Sequence, residues 1–305
     1  MKIKKEIHRR FNVDLDVERI TLRLLGYRRI RLRYFGMVLK RIHPKAVVLV
    51  TSYGKEDLIE AAKSLGVVTI ELQHGVIHSY HPGYSFPGDL REKSTFPHAL
   101  LVFGDYWLDS AEYPIGRNRI LSVGYPYLEE ELKKYSRTRK EKQILVISQW
   151  TIGAELSKFA AELSEVKDLG YRIIYKLHPL EYTGWHEKYP WLSGAEIDVI
   201  VGSRKSIYEL FAESSLQIGV YSTAVYEGLA FGLGTFIPDV HGADYSESLV
   251  EAGVAIKVKS VQELVQHVRE AASFRELDRE KFFRSGARSR IVRILTRLVS
   301  SRKNP

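Results

Sequence analysis

From residue 46 onward the chain alternates short apolar, β-branched runs with amphipathic stretches, and this alternation limits the possible folds more than any other feature. Runs at 46–50, 67–72, 100–103 and 120–123 are followed by turn signals such as Tyr53-Gly54, Gly104 and Gly124. They lack polar alternation, so they read as strands buried on both faces, as a parallel sheet covered by helices requires. A helix is predicted over 57–64, ending at Gly66. Residues 129–142 are highly charged and read as a solvated helix or linker. The pattern then restarts, with strands predicted at 144–147, 171–177, 197–201, 216–220, 235–238 and 254–258. Helices are predicted at 155–169, 224–231 and 261–272, and Ser206-Ile-Tyr-Glu209 has capping-box spacing. Two such arrays joined by a charged linker predict an α/β protein of two Rossmann-like domains facing a cleft. The expected bounds are 1–135 and 136–274, followed by a basic helix over 275–305. Residues 1–45 are expected to be mostly helical, although 29–34 alternates with strand period.

At 305 residues, with 45% hydrophobic and 27% charged, the chain is long enough to bury a core, and global disorder is excluded. No apolar run reaches the ~20 residues of a membrane-spanning helix. No secretory leader is expected either, because Arg9, Arg10, Asp14 and Asp16 fall where its apolar segment would lie. The absence of cysteine excludes disulfides, thiolate metal sites and Cys nucleophiles, and it fits an intracellular protein. Charge is uneven. Residues 1–45 hold 14 Lys and Arg against 4 acids, residues 275–305 hold 10 against 3, and the stretch between them holds 22 against 30. Basic ends on a mildly acidic body point to an anionic surface as partner, or to a pair of solvated helices.

Ligands of open α/β sheets bind beyond the carboxyl ends of the strands. Three polar clusters fall there: Gln73-His74-Gly75, His178-Pro179 and Tyr221-Ser222-Thr223. His74, held at a strand end and titrating near neutrality, suits a general base, or is a hydrogen-bonded structural histidine. Gly75 lets the chain turn and leaves room for a substrate. His78 and His81 follow in a Tyr- and Gly-rich loop that could be a mobile acceptor loop. His178 follows a core strand where Pro179 fixes the backbone, so its imidazole could neutralise a departing phosphate. Ser222 and Thr223 open a helix, which gives a phosphate site or a plain N-cap. Glu227, one turn on, could accept two ribose hydroxyls or simply favour the helix start. Arg204, in Ser203-Arg204-Lys205, could touch phosphate or base, or be a solvated basic turn. Trp107, Trp150, Trp185 and Trp191 are expected in the core or lining the cleft. No Walker loop, dinucleotide glycine fingerprint or Gly-x-Ser-x-Gly occurs. Asp14-Leu-Asp16 reads as helix-start charge, so no metal site is expected.

In their order, strand–Gln-His-Gly, Ser-Val-Gly-Tyr-Pro before a linker, strand–Lys-Leu-His-Pro, then Gly-Val-Tyr-Ser-Thr-Ala-Val-Tyr-Glu-Gly-Leu-Ala-Phe-Gly, these clusters resemble those of GT-B-fold glycosyltransferases of surface and capsular polysaccharide assembly. That group includes polysialyltransferase-like enzymes, Kdo transferases and CDP-glycerol glycerophosphotransferases, and the likeness covers about residues 45–270. It implies a nucleotide-activated donor held mainly by the second domain. His178, Ser222 and Thr223 would lie on the donor phosphate, and Glu227, Arg204 and Tyr221 on the ribose and nucleotide. Tyr53, Gln73, Gly75 and His78 would lie on the acceptor side. Gln73-His74-Gly75 is closer to the His-Gly of the glycerophosphotransferases than to the paired acids of the sialyltransferase-like members.

The expectation is therefore a metal-independent inverting glycosyltransferase of surface glycan synthesis, with His74 as base and no cofactor. Its partners would be a nucleotide-sugar donor (or a CDP- or CMP-type donor), a glycan or lipid-linked acceptor and, through the basic termini, an anionic membrane. Nucleic acid is not an expected partner. In GT-B folds the last helix commonly crosses back to the first domain; here that would bring both basic ends to one face, giving a cytoplasmic protein held peripherally on the inner side of the cell membrane. The alternatives are a nucleotide-sugar 2-epimerase-like enzyme on the same fold, or a non-catalytic nucleic-acid- or partner-binding homologue. The epimerase would need carboxylates beside the base, and only Asp89, Asp105 and Asp109 are near in sequence.

Overall fold

The computed structural model describes residues 2–86, 88 and 91–300, so Asp89 and the last five positions of the basic C-terminal segment lie outside the described residues. The chain begins with α1 (Lys2–Phe11) and α2 (Val17–Ile42), followed by β1 (Ala46–Leu49), α3 (Glu56–Ser64), β2 (Val68–Leu72), β3 (Ala99–Val102), β4 (Ile120–Ser122) and α4 (Pro126–Lys134). These four strands form a parallel sheet in chain order. Next come β5 (Glu141–Ile147), α5 (Gly153–Ser164), β6 (Arg172–Lys176), α6 (Trp185–Lys188), β7 (Asp198–Ile200), α7 (Ile207–Glu213) and β8 (Ser214–Ile218). The second half closes with α8 (Thr223–Ala230), β9 (Gly234–Pro238), α9 (Glu247–Glu251), β10 (Ala255–Val258) and α10 (Val261–Arg269). This second sheet is also parallel, in the order β10-β9-β8-β5-β6-β7. The molecule is thus an α/β protein of two parallel sheets.

Side-chain alternation decides what each face of the first sheet buries. Ala46, Val68, Ile70 and Leu72 face one way, while Val47 and Val67 face the other, onto Leu32, Phe35 and Leu39 of α2 and Leu58, Ala61 and Ala62 of α3. Asp16 caps α2 by accepting the Arg19 N–H, and the helix ends where His43 turns left-handed before Pro44. The strand-like alternation at 29–34 therefore lies inside a helix. Arg28 and Arg31 reach Asp57 and Glu60 of α3, and Leu32 packs between them on the same face.

Two other boundaries differ from expectation. β5 starts at Glu141, so it takes in part of the charged linker; Gln143 Nε2 donates to Ser214 Oγ at 2.7 Å, which satisfies one end of a polar side chain inside the sheet. α5 ends at Ser164 rather than 169, and left-handed turns at Asp168 and Gly170 lead into β6.

After α10 the chain returns to the first sheet through α11 (Arg279–Phe282) and α12 (Ala287–Ser300). Ile291, Ile294, Leu295 and Leu298 of α12 cover Val68, Ile70, Leu101 and Val123. The glycines that close β3 and β4 make room for this return. A Cβ on Gly104 would lie 2.3 Å from the Lys281 carbonyl oxygen, and one on Gly124 (φ 99°) 2.1 Å from that of Arg284. α12 lies on the sheet face opposite α2, and its end meets that of α2 at the edge of the sheet, where Val299 borders Leu39, Lys40 and His43. One continuous apolar cluster runs from Leu100, Val102 and Trp107 of the first half to Leu145, Ile147 and Tyr226 of the second.

Candidate active site

The loops after β2 and β8 meet. The Val76 N–H, in the turn beyond His74, donates to Thr223 Oγ1 at 3.0 Å, at the first residue of α8. The contact requires Gly75, where a Cβ would stand 2.9 Å from that same oxygen. Gln73 positions the loop: it is buried, its Nε2 donates to the Gly75 carbonyl at 2.8 Å, and its Oε1 accepts from Phe103 N at 2.8 Å. Its amide is thus committed at both ends to backbone. This corrects its placement on the acceptor side, because a glutamine so engaged scaffolds the turn.

His74 projects beyond this scaffold. Its Nε2 lies 3.3 Å from the Tyr53 hydroxyl, and its other polar support is the Val50 backbone. Partial burial, only partly offset by that backbone contact, holds the imidazole below its ordinary value, so the ring is neutral at pH 7. Gly83 lets the following loop close over Tyr53, since a Cβ there would be 2.6 Å from the Tyr53 ring. His78 is not beside His74's ring. It stacks on Tyr245 of the second half, 4.6 Å between ring centroids and 12° from parallel, so it fastens the two halves together.

Across the contact, Ser222 is the N-cap of α8, and its Oγ accepts the Ala224 N–H at 3.2 Å. Both hydroxyls accept, from Ala224 and from Val76, so each keeps its own hydrogen to donate to an anion at the helix start. His178 ends β6 and caps the turn that follows: its Nδ1 accepts Leu180 N–H, and its own N–H donates to buried Glu181. An accepting Nδ1 leaves the ring hydrogen on Nε2, a donor. β6 and β8 flank β5, so their carboxyl ends stand ~10 Å apart, two strand spacings.

Strand order reverses between β5 and β8, the switch point at which open sheets bind ligands. This brings in the loop after β5, of which the sequence marked only Trp150, as core or cleft lining. Gln149 Oε1 accepts Tyr221 N–H at 3.0 Å, the Tyr221 and Thr151 hydroxyls bond at 2.6 Å, and Trp150 stands exposed between them in sequence. Tyr221 is thereby fixed toward the β5 loop. Arg204 lies in an exposed turn after edge strand β7, one strand beyond His178.

Glu227 is buried, and Tyr208 donates to it at 3.1 Å, with Tyr125 as a further partner. Both tyrosines were missed from sequence. Burial pushes this carboxyl up to about 7 despite those two hydroxyls, so a ribose could reach it only by displacing a tyrosine. A carboxyl raised in this way stabilises the fold in its protonated form. That contribution is complete below about 4.5 and is lost as pH rises through about 7. Melting wild type and Glu227→Gln in parallel should show the variant gaining on wild type between those pH values, with a constant gap above them. A gap that does not change with pH would show that Glu227 ionises freely.

Among the described residues, no three His, Asp or Glu side chains group as metal ligands. No family model matches the chain, and no curated protein matches it. Solved structures do. UDP-GlcNAc 2-epimerase of Methanocaldococcus jannaschii superposes with a TM-score of 0.59 at 17% identity, over 87% of this chain and 79% of that one. That of Neisseria meningitidis gives 0.60 at 14%, over 90% and 82%. A glycosyltransferase from Rickettsia africae gives 0.51 at 15%, over 90% and 81%. The fold is GT-B-like. The meeting of the His74 loop with α8 lies where the two halves of the molecule face each other.

Proposed function

We propose that the chain is a nucleotide-sugar-dependent glycosyltransferase acting by metal-independent inversion. The observation that carries this reading is the hydrogen bond from Val76 N–H to Thr223 Oγ1, which sets a neutral imidazole next to an anion-competent helix start. The donor phosphate would take hydrogen bonds from Ser222, Thr223 and His178 Nε2. An acceptor hydroxyl would replace Tyr53 at His74 Nε2. As its oxygen bonds to the anomeric carbon from the face opposite the nucleotide, the carbon–phosphate oxygen bond breaks. His74 takes the proton, and the charge on the departing nucleotide meets fixed donors.

The epimerase reading has one observation in its favour: the UDP-GlcNAc 2-epimerases superpose better than the glycosyltransferase does. Against it, Asp105 and Asp109 are paired with Arg284 and Arg117, and neither is placed beside His74. Incubation with UDP-GlcNAc in D₂O separates the two. Deuterium entering C2 of the sugar supports the epimerase, whereas acceptor-dependent nucleotide release without exchange supports transfer.

Thermal-shift measurements with CMP, CDP, UDP, GDP and dTDP should single out the donor nucleotide. A ligand at 100-fold over Kd adds ~2.7 kcal/mol of stability. If none of the five raises Tm, nucleotide-donor chemistry is excluded.

A further inference from the structure

The side of α2 turned away from α3 is apolar and bare. Ile20, Tyr27, Ile30, Tyr34 and Met37 recur at spacings of seven, three, four and three, which places them on one stripe of the helix, and each is 44–66% exposed. From Ile20 to Met37 the strip runs ~26 Å, longer than a scattering of surface residues would make. Arg29, Arg33 and Lys40 flank it along one margin, Arg19 stands at its edge, and Arg23 and Arg41 lie within it, one turn from Tyr27 and Met37. α2 holds eight Lys and Arg against one acid, and only Arg28 and Arg31 pair with α3.

We infer that α2 seats the protein on an anionic lipid surface, lying in the plane of the interface with this stripe inserted and the flanking cations on the headgroups. The pattern is that of an interfacial helix: an apolar stripe carrying two tyrosines, a cationic margin, and two arginines within the stripe whose long side chains can reach the headgroups. A second copy fits less well, because pairing this stripe with itself would set two strongly cationic margins against each other. Nucleic acid would leave five apolar side chains without a partner. α12 takes no part, since it lies on the opposite sheet face.

The helix also bears on the catalytic loop. Arg31 pairs with Asp57 at 2.9 Å, at the start of α3, and the loop just before that helix carries Tyr53 against His74. A membrane-seated α2 therefore bears on the loop that sets Tyr53 against His74. The docking itself follows from charge and exposure and does not depend on the transferase reading.

The test is co-sedimentation of the full chain with phosphatidylcholine vesicles containing or lacking 30% phosphatidylglycerol, a composition chosen for the experiment (about a third anionic lipid). Binding to the anionic vesicles alone is expected. Ile30→Glu/Met37→Glu and, separately, Arg29→Gln/Arg33→Gln should each weaken it at least ~10-fold while leaving circular dichroism and Tm unchanged, because all four positions are exposed. Absence of vesicle binding would overturn the inference. So would a dimer abolished by Ile30→Glu/Met37→Glu, or RNA binding that survives it. Nucleotide-induced thermal shifts, read on the same samples, report separately on the transferase reading.

Discussion

Replacing His74 with Ala should lower turnover by ~10²–10⁴-fold while leaving nucleotide-donor affinity nearly unchanged. That is the usual worth of a positioned general base, the role proposed for His74 beside the contact with α8. The pH profile gives a second signature. Partial burial depresses the His74 pKa, so kcat/KM should fall only at pH below ~6.5, as the ring protonates, and His74→Ala should lose that acid limb. His178→Ala should act differently, weakening donor binding and rate together, because in the proposed mechanism its Nε2 donates to the nucleotide phosphate. If His74→Ala keeps full turnover, the base lies elsewhere. A raised donor Kd without loss of turnover would move His74 into the binding machinery.

The ten strands were legible in the sequence because a strand covered on both faces must be an unbroken apolar run, and few other elements are so short and so apolar. Helix ends were less legible. The stretch after Ser164 keeps an amphipathic pattern, and only its backbone shows that the chain turns before β6. The candidate site was partly legible. His74, Ser222 and Thr223 stood out because strand ends and helix starts leave local marks. Gln149 and Thr151 did not, because their bonds to Tyr221 follow from the strand order β8-β5-β6, which no local pattern encodes. The same holds for Tyr125 and Tyr208, distant in sequence and brought to Glu227 by packing of the two halves. Gln73 shows the opposite error. A polar residue at a strand end looked like a ligand contact, yet both ends of its amide hold the turn.

Trp107→Ala should destabilise the whole molecule by ~3–5 kcal/mol, the largest stability effect expected of a single side chain here. Trp107 is 1% exposed and joins three parts of the chain. It extends from the turn after β3, packs 5.2 Å from Tyr226 of α8, and donates from Nε1 to the Phe282 carbonyl of the returning C-terminal segment at 2.8 Å. Tyr106 meets it edge-on at 4.9 Å, so truncation would open a cavity lined by rings too rigid to collapse into it. Trp107→Phe separates packing from polarity. It keeps most of the apolar contact but leaves a buried carbonyl without its donor, for a cost of ~1–3 kcal/mol. Urea unfolding followed by circular dichroism should give a single transition for all three proteins, shifted in that order, because the apolar cluster around Trp107 is continuous between the sheets. Two transitions in Trp107→Ala, one of them at the wild-type midpoint, would mean that the halves fold separately. Tyr226 precedes Glu227 on the helix that Thr223 opens, so the same cavity should also loosen the contact between α8 and the His74 loop. Transfer activity should then fall in Trp107→Ala at urea concentrations too low to unfold it.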